Sequence, residues 1–353
     1  FSSRRRHTRW CVRSRGLGDV YKRQVDCQES TYDDAAVRAA EAMSDVQPVA
    51  RFVDIALDPP EPTQVETISL ADLRAFWRSP SAWFCRRAAG IAMAWEREED
   101  EAEALGLDGL QAWRLRDAAL AQPALLEDEP RLLARFGLPA NPLVTQDLRG
   151  LRGEFAAFEA AEFSPTEVAP ETVEVEGPDF VVRGRLSRHT DGRLVELVAG
   201  SVKPKRTVQA LVAHAMAGCL EWPGSSVFGS VRTPGKLEEW APFARPHEVL
   251  AALVAGYRSG LESPLPFFPQ TTFAFAKALR EGLEPREAFA SNGVQKAWAY
   301  VPDASETFAD EGDNLDEAVA LCTRGLGDEV CSDAFVEWAR NISAWCEEIG
   351  AKL

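Results

Sequence analysis

Leu70, Leu73, Phe76 and Trp77 fall on one face at helical spacing, with Ser69 and Asp72 in the positions of a capping box. Ser79-Pro80 restarts a second helix, with the serine as cap and the proline at a position where its missing N–H costs nothing; Trp83, Phe84, Ala88 and Ile91 line it. Leu107-Asp108-Gly109-Leu110 leads into a helix carrying Trp113, Leu115 and Leu120, and a helical pair follows at Glu129–Phe136 and Gln146–Glu162. After Pro165 the period falls to two. Thr172–Glu176 alternates as a half-buried strand, Gly177-Pro178-Asp179 is a turn, and Phe180–Arg188 is a second strand. Asp191-Gly192 signals a hairpin returning as a third strand, Arg193–Ala199. A helix at Thr207–Cys219 then groups Val208, Leu211, Val212, Ala215 and Cys219, and Val227–Val231 reads as a strand. Helices follow at Pro246–Ser259 and near the end, where Phe335, Trp338, Ile342 and Trp345 share a face. The pattern predicts an α/β chain: a helical subdomain over residues 67–165, then a domain over 166–353 with a small mixed sheet flanked by helices.

The stretch before this pattern is different. Residues 25–66 turn acidic and then Pro-rich, with Pro59, Pro60 and Pro62 favouring extended chain, and read as a linker or the end of a preceding region. Residues 1–24 hold eight bases (Arg4, Arg5, Arg6, Arg9, Arg13, Arg15, Lys22, Arg23) against Asp19. A basic arm or targeting peptide is one reading, although the apolar core of a secretory signal is missing. The strings SSRRRHTR and GLGDVYKRQ look like translated sequencing-adapter read-through, and the segment is set aside as such. On that reading the native chain begins earlier and this is the C-terminal piece of something longer. The formal charge of the 353 residues is −16, and without the leader it becomes −23. Such acidity argues against sequence-independent coating of nucleic acid, which depends on Lys and Arg displacing counterions. The run Glu96–Glu103 reads as a solvated loop or helix end. The sequence has no apolar stretch of membrane-spanning length.

Candidate chemistry is thin. Gly229 to Gly235-Lys236 resembles a phosphate loop but has one residue too many between its glycines, and Leu237 stands where Ser or Thr would hold Mg²⁺; a turn between two elements explains it better. His189, beside a turn, and His214, in mid-helix off the apolar face, have no evident partner, and no Ser sits in a nucleophile elbow. Cys322, Cys331 and Cys346 could join an iron–sulfur site with a distant fourth thiolate, but small buried thiols in a reducing cytoplasm suit their spread better. The aromatic residues Trp77, Trp83, Phe84, Trp338 and Trp345 are assigned to the core rather than to base stacking.

The order strand, hairpin, strand, helix over Arg183 to Arg206 resembles the restriction-endonuclease-like nucleases of the PD-(D/E)xK type, in which acids hold Mg²⁺ beside the scissile phosphate. Here Ser187 occupies the expected Asp position and Ser201 the expected acid of the second motif, leaving Lys203. A metal site would need relocated acids such as Glu196. The resemblance is therefore to a degenerate nuclease domain, with no catalytic and no metal-binding residues.

With its flanks, the chain resembles the C-terminal part of the RecC family, gamma subunits of exodeoxyribonuclease V, the RecBCD helicase–nuclease. The likeness rests on the helix pair from Ile68 to Pro80 with Trp83-Phe84, Leu107–Leu110, the hairpin with Gly184, Tyr257–Leu261, Pro264–Pro269, and Glu311–Asn314 leading to Arg324-Gly325. The resemblance implies a non-catalytic piece of a complex acting in double-strand break repair by homologous recombination. In that complex RecB and RecD unwind and RecB cuts, while RecC splits the duplex, channels the strands and helps read the Chi signal. This piece would scaffold RecB-like and RecD-like subunits and guide DNA at the fork, with no cofactor of its own, since ATP and Mg²⁺ are used by the partners. Two other readings stay open: an active Mg²⁺-dependent nuclease with relocated acids, and a protein–protein adaptor without DNA contact. From Pro178 to Arg206 seven bases face three acids, Asp179, Asp191 and Glu196. Arg183, Arg185, Arg188, Lys203, Lys205 and Arg206 are the DNA-contact candidates, and the ordinary polar face of a hairpin accounts for them equally well.

Overall fold

The computed structural model describes residues 51–53, 66–91, 106–220, 222, 225–299, 312–326 and 331–353. The adapter-like leader, the charge run at 96–103 and nearly all of the expected linker lie outside them. Strand β1 (Glu66–Ser69) runs directly into helix α1 (Leu70–Arg78), and α2 (Pro80–Trp83) continues as a π-helical turn, Phe84–Ala88. The capping box expected at Ser69 does not form: the serine is the last residue of β1, paired with Arg183, and its side chain makes no cap bond. Helices α3 (Gly109–Ala121), α4 (Glu129–Phe136) and α5 (Pro142–Ala161) follow. Asp108 and Gln111 close a capping box at the start of α3, and Asp128 and Asn141 cap the next two helices.

Strands β2 (Val168–Glu176) and β3 (Phe180–His189) form the antiparallel pair expected from the alternation, and β1 adds to β3 in parallel, giving the order β1-β3-β2. The second hairpin is a correction. Asp191-Gly192 makes a tight turn, with Gly192 at φ 94° and the His189 N–H donating to the Arg193 carbonyl at 2.9 Å. Beyond an antiparallel bridge between Arg188 and Leu194, however, the chain leaves β3. Strand β4 (Val195–Val198) pairs instead with β5 (Ser226–Ser230) in parallel, and β6 (Glu238–Trp240) closes that second sheet. Parallel partners need a crossover, and helix α6 (Pro204–Cys219) supplies it. The turn residues specify local geometry; they do not choose the strand's long-range partner.

Helices α7 (Pro246–Glu262), α8 (Pro269–Arg280), α9 (Pro285–Ala290), α10 (Asn292–Ala299), α11 (Glu317–Cys322) and α12 (Asp333–Ile349) complete the described chain. The main core gathers Leu70, Leu73, Phe76 and Trp77 of α1 with β2, β3, α6, α7, α8 and α12, so the helix that opens the expected helical subdomain shares its core with the sheets. A second core joins α3, α4 and α5 to Val231. Helix α1 reaches α7 closely because Gly256 and Gly260, one turn apart, leave room for its rings. A Cβ on Gly260 would collide with Phe76, and one on Gly256 would lie 2.7 Å from Trp77 and 2.8 Å from Trp338. Trp77 also packs edge-on against Phe267 and Trp338, with centroids 5.0 and 4.8 Å away, while its indole N–H donates to the Leu253 carbonyl at 3.2 Å.

Candidate nucleic-acid interface

The basic residues expected to form one strip divide into two groups. The first lies on β3 and the turn after it. The pleat points Phe180, Val182 and Leu186 into the core and puts Arg183, Arg185 and Ser187 on the opposite face. Cross-strand acids meet most of the charge: Arg183 pairs with Glu174, and Arg188 with Glu171 at 3.1 Å while stacking on Trp222 at 4.8 Å. Arg193 bonds Asp191 at 2.7 Å and Glu239 at 2.8 Å. Burial would raise the Asp191 carboxyl, but hydrogen bonds from the Arg193 N–H, His189 and the Arg193 guanidinium outweigh it and hold it at about 2. His189 thus has partners, Asp191 at 2.9 Å and Glu167 at 3.2 Å. Arg185 is exposed opposite Thr172 and makes no ion pair among the described residues.

The second group forms where β4 hands over to α6. Ser201 is exposed in that connection, and Lys203 is the N-cap of α6, its carbonyl accepting from the Arg206 and Thr207 N–H groups at 2.7 and 3.0 Å. Lys205 stands 3.9 Å from Asp316. The sequence reading missed that α1 contributes as well. Arg74 and Arg78, four residues apart on that helix, were legible as a pair sharing one face, but nothing local tied them to α6. Arg74 donates to both oxygens of Glu196 at 3.1 and 2.6 Å, and its carbonyl accepts from Gln209 at 3.2 Å. Gln209 in turn accepts from Arg206 at 3.2 Å, and the Arg206 guanidinium sits 5.9 Å from the Trp113 ring centre. Burial lowers the Arg206 pKa, and the like charge of Arg78 lowers it further. Arg78 is exposed and makes no ion pair among the described residues.

The positions corresponding to nuclease acids do not converge. Glu196 reaches α1, whereas Ser187 lies on the face of β3 turned away from the core that α1 enters. Among the described residues no cluster of three or more His, Cys, Asp or Glu could hold a metal ion. The glycine-rich segment after β5 is a turn leading to β6, and its Gly235 N–H is occupied by the Glu162 carboxylate at 2.6 Å, where a phosphate loop would keep its amides for an anion. Cys322 faces Cys85 at 3.7 Å and Cys346 lies in the main core; burial raises these thiols, Cys346 to about 12.

His214 is also a correction, being a core residue with two partners. Helix α6 is buried from Thr207 to Ala217 and has no polar side there, so the imidazole is enclosed. Its Nδ1 accepts from the Ser226 hydroxyl at 2.6 Å and its Nε2–H donates to the Ala241 carbonyl at 2.9 Å. Burial lowers its pKa to about 4, against the opposing pull of the Ala241 hydrogen bond. No helix among the described residues is long and apolar enough to cross a membrane.

The fold and this junction define an α/β protein with a cation-rich contact between helix and sheet and, among the described residues, no assembled acid centre. Residues 65–280 match the model of the RecC C-terminal domain, and the chain belongs to that family. Over 279 aligned residues it is 27% identical to the RecBCD enzyme subunit RecC of Mycolicibacterium smegmatis, covering 73% of this chain. It is 25% identical over 281 residues to the subunit of the same name from Mycobacterium tuberculosis, covering 74%. The chain spans about a quarter of the length of these relatives.

Proposed function

We propose that this chain is a non-catalytic portion of a RecBCD-type helicase–nuclease in recombinational repair, binding RecB-like and RecD-like subunits and helping to position DNA strands. The family match supports the assignment to the complex. The observation that carries the non-catalytic reading is the Arg74–Glu196 pair. Glu196 is the acid nearest in sequence to Ser201 and Lys203 and the one a relocated metal site would call on, and both its oxygens are taken by a guanidinium. Mg²⁺ would have to displace that cation or share the carboxylate with it. The order of elements along the chain, β2, β3, β4, α6, β5, supports reading a degenerate PD-(D/E)xK domain, with β4 paired to β5 in a second sheet, and on that reading ATP and Mg²⁺ chemistry is left to the partner subunits.

Incubating the purified chain with linear DNA and Mg²⁺ tests this. No cleavage is expected; cleavage abolished by Glu196→Ala or Lys203→Ala would establish a relocated active centre instead. Co-purification with RecB-like and RecD-like subunits tests the assembly. Reversing the charge of Lys203, Lys205 and Arg206 should weaken DNA binding by the assembled complex in a salt-dependent way. Unchanged binding would favour an adaptor without DNA contact.

A further inference from the structure

We propose that Cys85 and Cys322 form a site of reversible oxidation, at which a small peroxide converts the two thiols into one disulfide that fastens helix α11 to the turn following α2. The site lies in a part of the chain that the DNA-positioning role does not use.

The first argument is geometric. Cys85 stands in the π-helical turn Phe84–Ala88, and Cys322 is the last residue of α11, 237 positions further along the chain. The fold nevertheless sets their Sγ atoms 3.7 Å apart, and among the described residues no other two cysteine sulfurs are in contact. A disulfide needs about 2.0 Å, so the sulfurs have about 1.7 Å left to close, a distance that rotation about the two Cα–Cβ bonds can cover. The Cys322 S–H donates to the Ser81 carbonyl at 3.9 Å, which leaves the Cys322 sulfur to accept from Cys85. Both thiols belong to a small core of their own, whose buried members are Phe84, Cys85, Ala318 and Cys322. So few buried side chains hold α11 less firmly than the main core holds its helices. A covalent tie that also closes a long loop adds most in such a place.

The second argument is access, in which the two thiols differ. Cys322 is 7% exposed and borders a cavity of about 530 Å³ that Ser81, Pro266, Phe268, Leu326 and Cys331 also line, whereas Cys85 is 0% exposed. Hydrogen peroxide is uncharged and close to water in size, so it reaches Cys322 by that cavity where a bulkier alkylating agent does not. The Cys322 thiolate attacks one peroxide oxygen, the O–O bond breaks, and the hydroxide released takes up a proton as the first water, leaving Cys322 as a sulfenic acid. The Cys85 thiolate then attacks the Cys322 sulfur. The S–S bond forms, the S–O bond breaks, and the leaving hydroxide takes up a proton as the second water. Two thiols lose two electrons, and one peroxide gains them. Burial raises both thiols, so the first step is slow at neutral pH and the site answers sustained oxidation.

The test exposes the full chain to hydrogen peroxide, denatures it in an alkylating agent and maps the peptides by mass spectrometry without reductant. Peptides joined through Cys85 and Cys322 are expected as the main linked species, and dithiothreitol should restore both thiols. In the oxidised chain the amides of α11 should exchange their hydrogens about tenfold more slowly. Cys85→Ala should leave Cys322 to proceed to the sulfinic acid, which dithiothreitol does not reverse, while in Cys322→Ala the Cys85 thiol should stay reduced. Circular dichroism checks the fold of both variants, and if either is unfolded the peptide map of the parent decides alone. A main link between Cys322 and Cys331, irreversible oxidation with no link between Cys85 and Cys322, or oxidation of Cys85 in folded Cys322→Ala at the parental rate would overturn the proposal. Unchanged exchange in α11 of the linked chain would overturn the fastening.

Discussion

Replacing glycine by alanine should have opposite effects on two helices of this protein. Gly256 on α7 faces two indoles, and an added methyl would lie 2.7 Å from Trp77 Cζ2 and 2.8 Å from Trp338 Cη2. Trp338 is partly exposed and can swing outward. Trp77 cannot, because it is enclosed in the core and tied through its N–H to Leu253 on the same helix. Alanine gains about 1 kcal/mol over glycine in a helix interior. Forcing a methyl into a packed aromatic contact costs about 1–3 kcal/mol, and with an immovable ring the upper end applies. Gly256→Ala should therefore lose about 2 kcal/mol net. At a slope of about 2 kcal/mol per molar, the urea midpoint falls by about 1 M. Gly150 on α5 is exposed with nothing within 4 Å of its Cβ position, so the propensity gain acts alone and Gly150→Ala should stabilise by about 1 kcal/mol. Urea unfolding followed by tryptophan fluorescence reads both variants. A midpoint for Gly256→Ala equal to or above that of the parent would refute the claim that α1 and α7 are held at this distance by the missing side chain.

Because the folded-state pKa of His214, about 4, lies below its unfolded value, the unfolded chain binds the extra proton between about pH 6.5 and 4. The His214 contribution is thus full above pH 6.5 and is lost as pH falls through that window, about 3 kcal/mol in all. The slope of stability against pH there should flatten in His214→Gln, and an unchanged slope would remove the assignment. Asp313 is buried and accepts from the Thr271 N–H at 2.8 Å and the Thr271 hydroxyl at 2.9 Å, so it satisfies the first turn of α8 from outside the helix. Asp313→Ala should cost about 1–3 kcal/mol in thermal or urea unfolding. Cys85 and Cys322 should react with a thiol reagent only when the chain unfolds, since both are buried and burial raises both thiols. Native-state labelling at the rate of a free thiol would contradict this.

Local rules served well where the structure is local. Periodicity located α1, α4, α6, α7 and α12 to within a few residues, and the alternation of β2 and β3 with their intervening turn appears as read. What local rules missed was pairing over distance. The turn at Asp191-Gly192 is the same whether the next strand stays with β3 or leaves it, because strand choice depends on a crossover completed only at β5. His214 looked polar-facing because its own helix period placed it there; burial comes from elements packed on every side of α6.

The candidate site shows the same division. Lys203, Lys205 and Arg206 stand together in the sequence, and their charge was legible without any structure. Their meaning was not. Contacts across the fold neutralise much of the β3 charge through β2, commit Glu196 to Arg74, and set Trp113 beneath Arg206. The sequence by itself determined which segments become helices and strands and where cations cluster, since propensity, turn chemistry and hydrophobic period act over a few residues. Only the tertiary structure decided which charges are cancelled and which remain, because electrostatic energy depends on distance in space and on exclusion of water, and both are set by residues far apart in the chain.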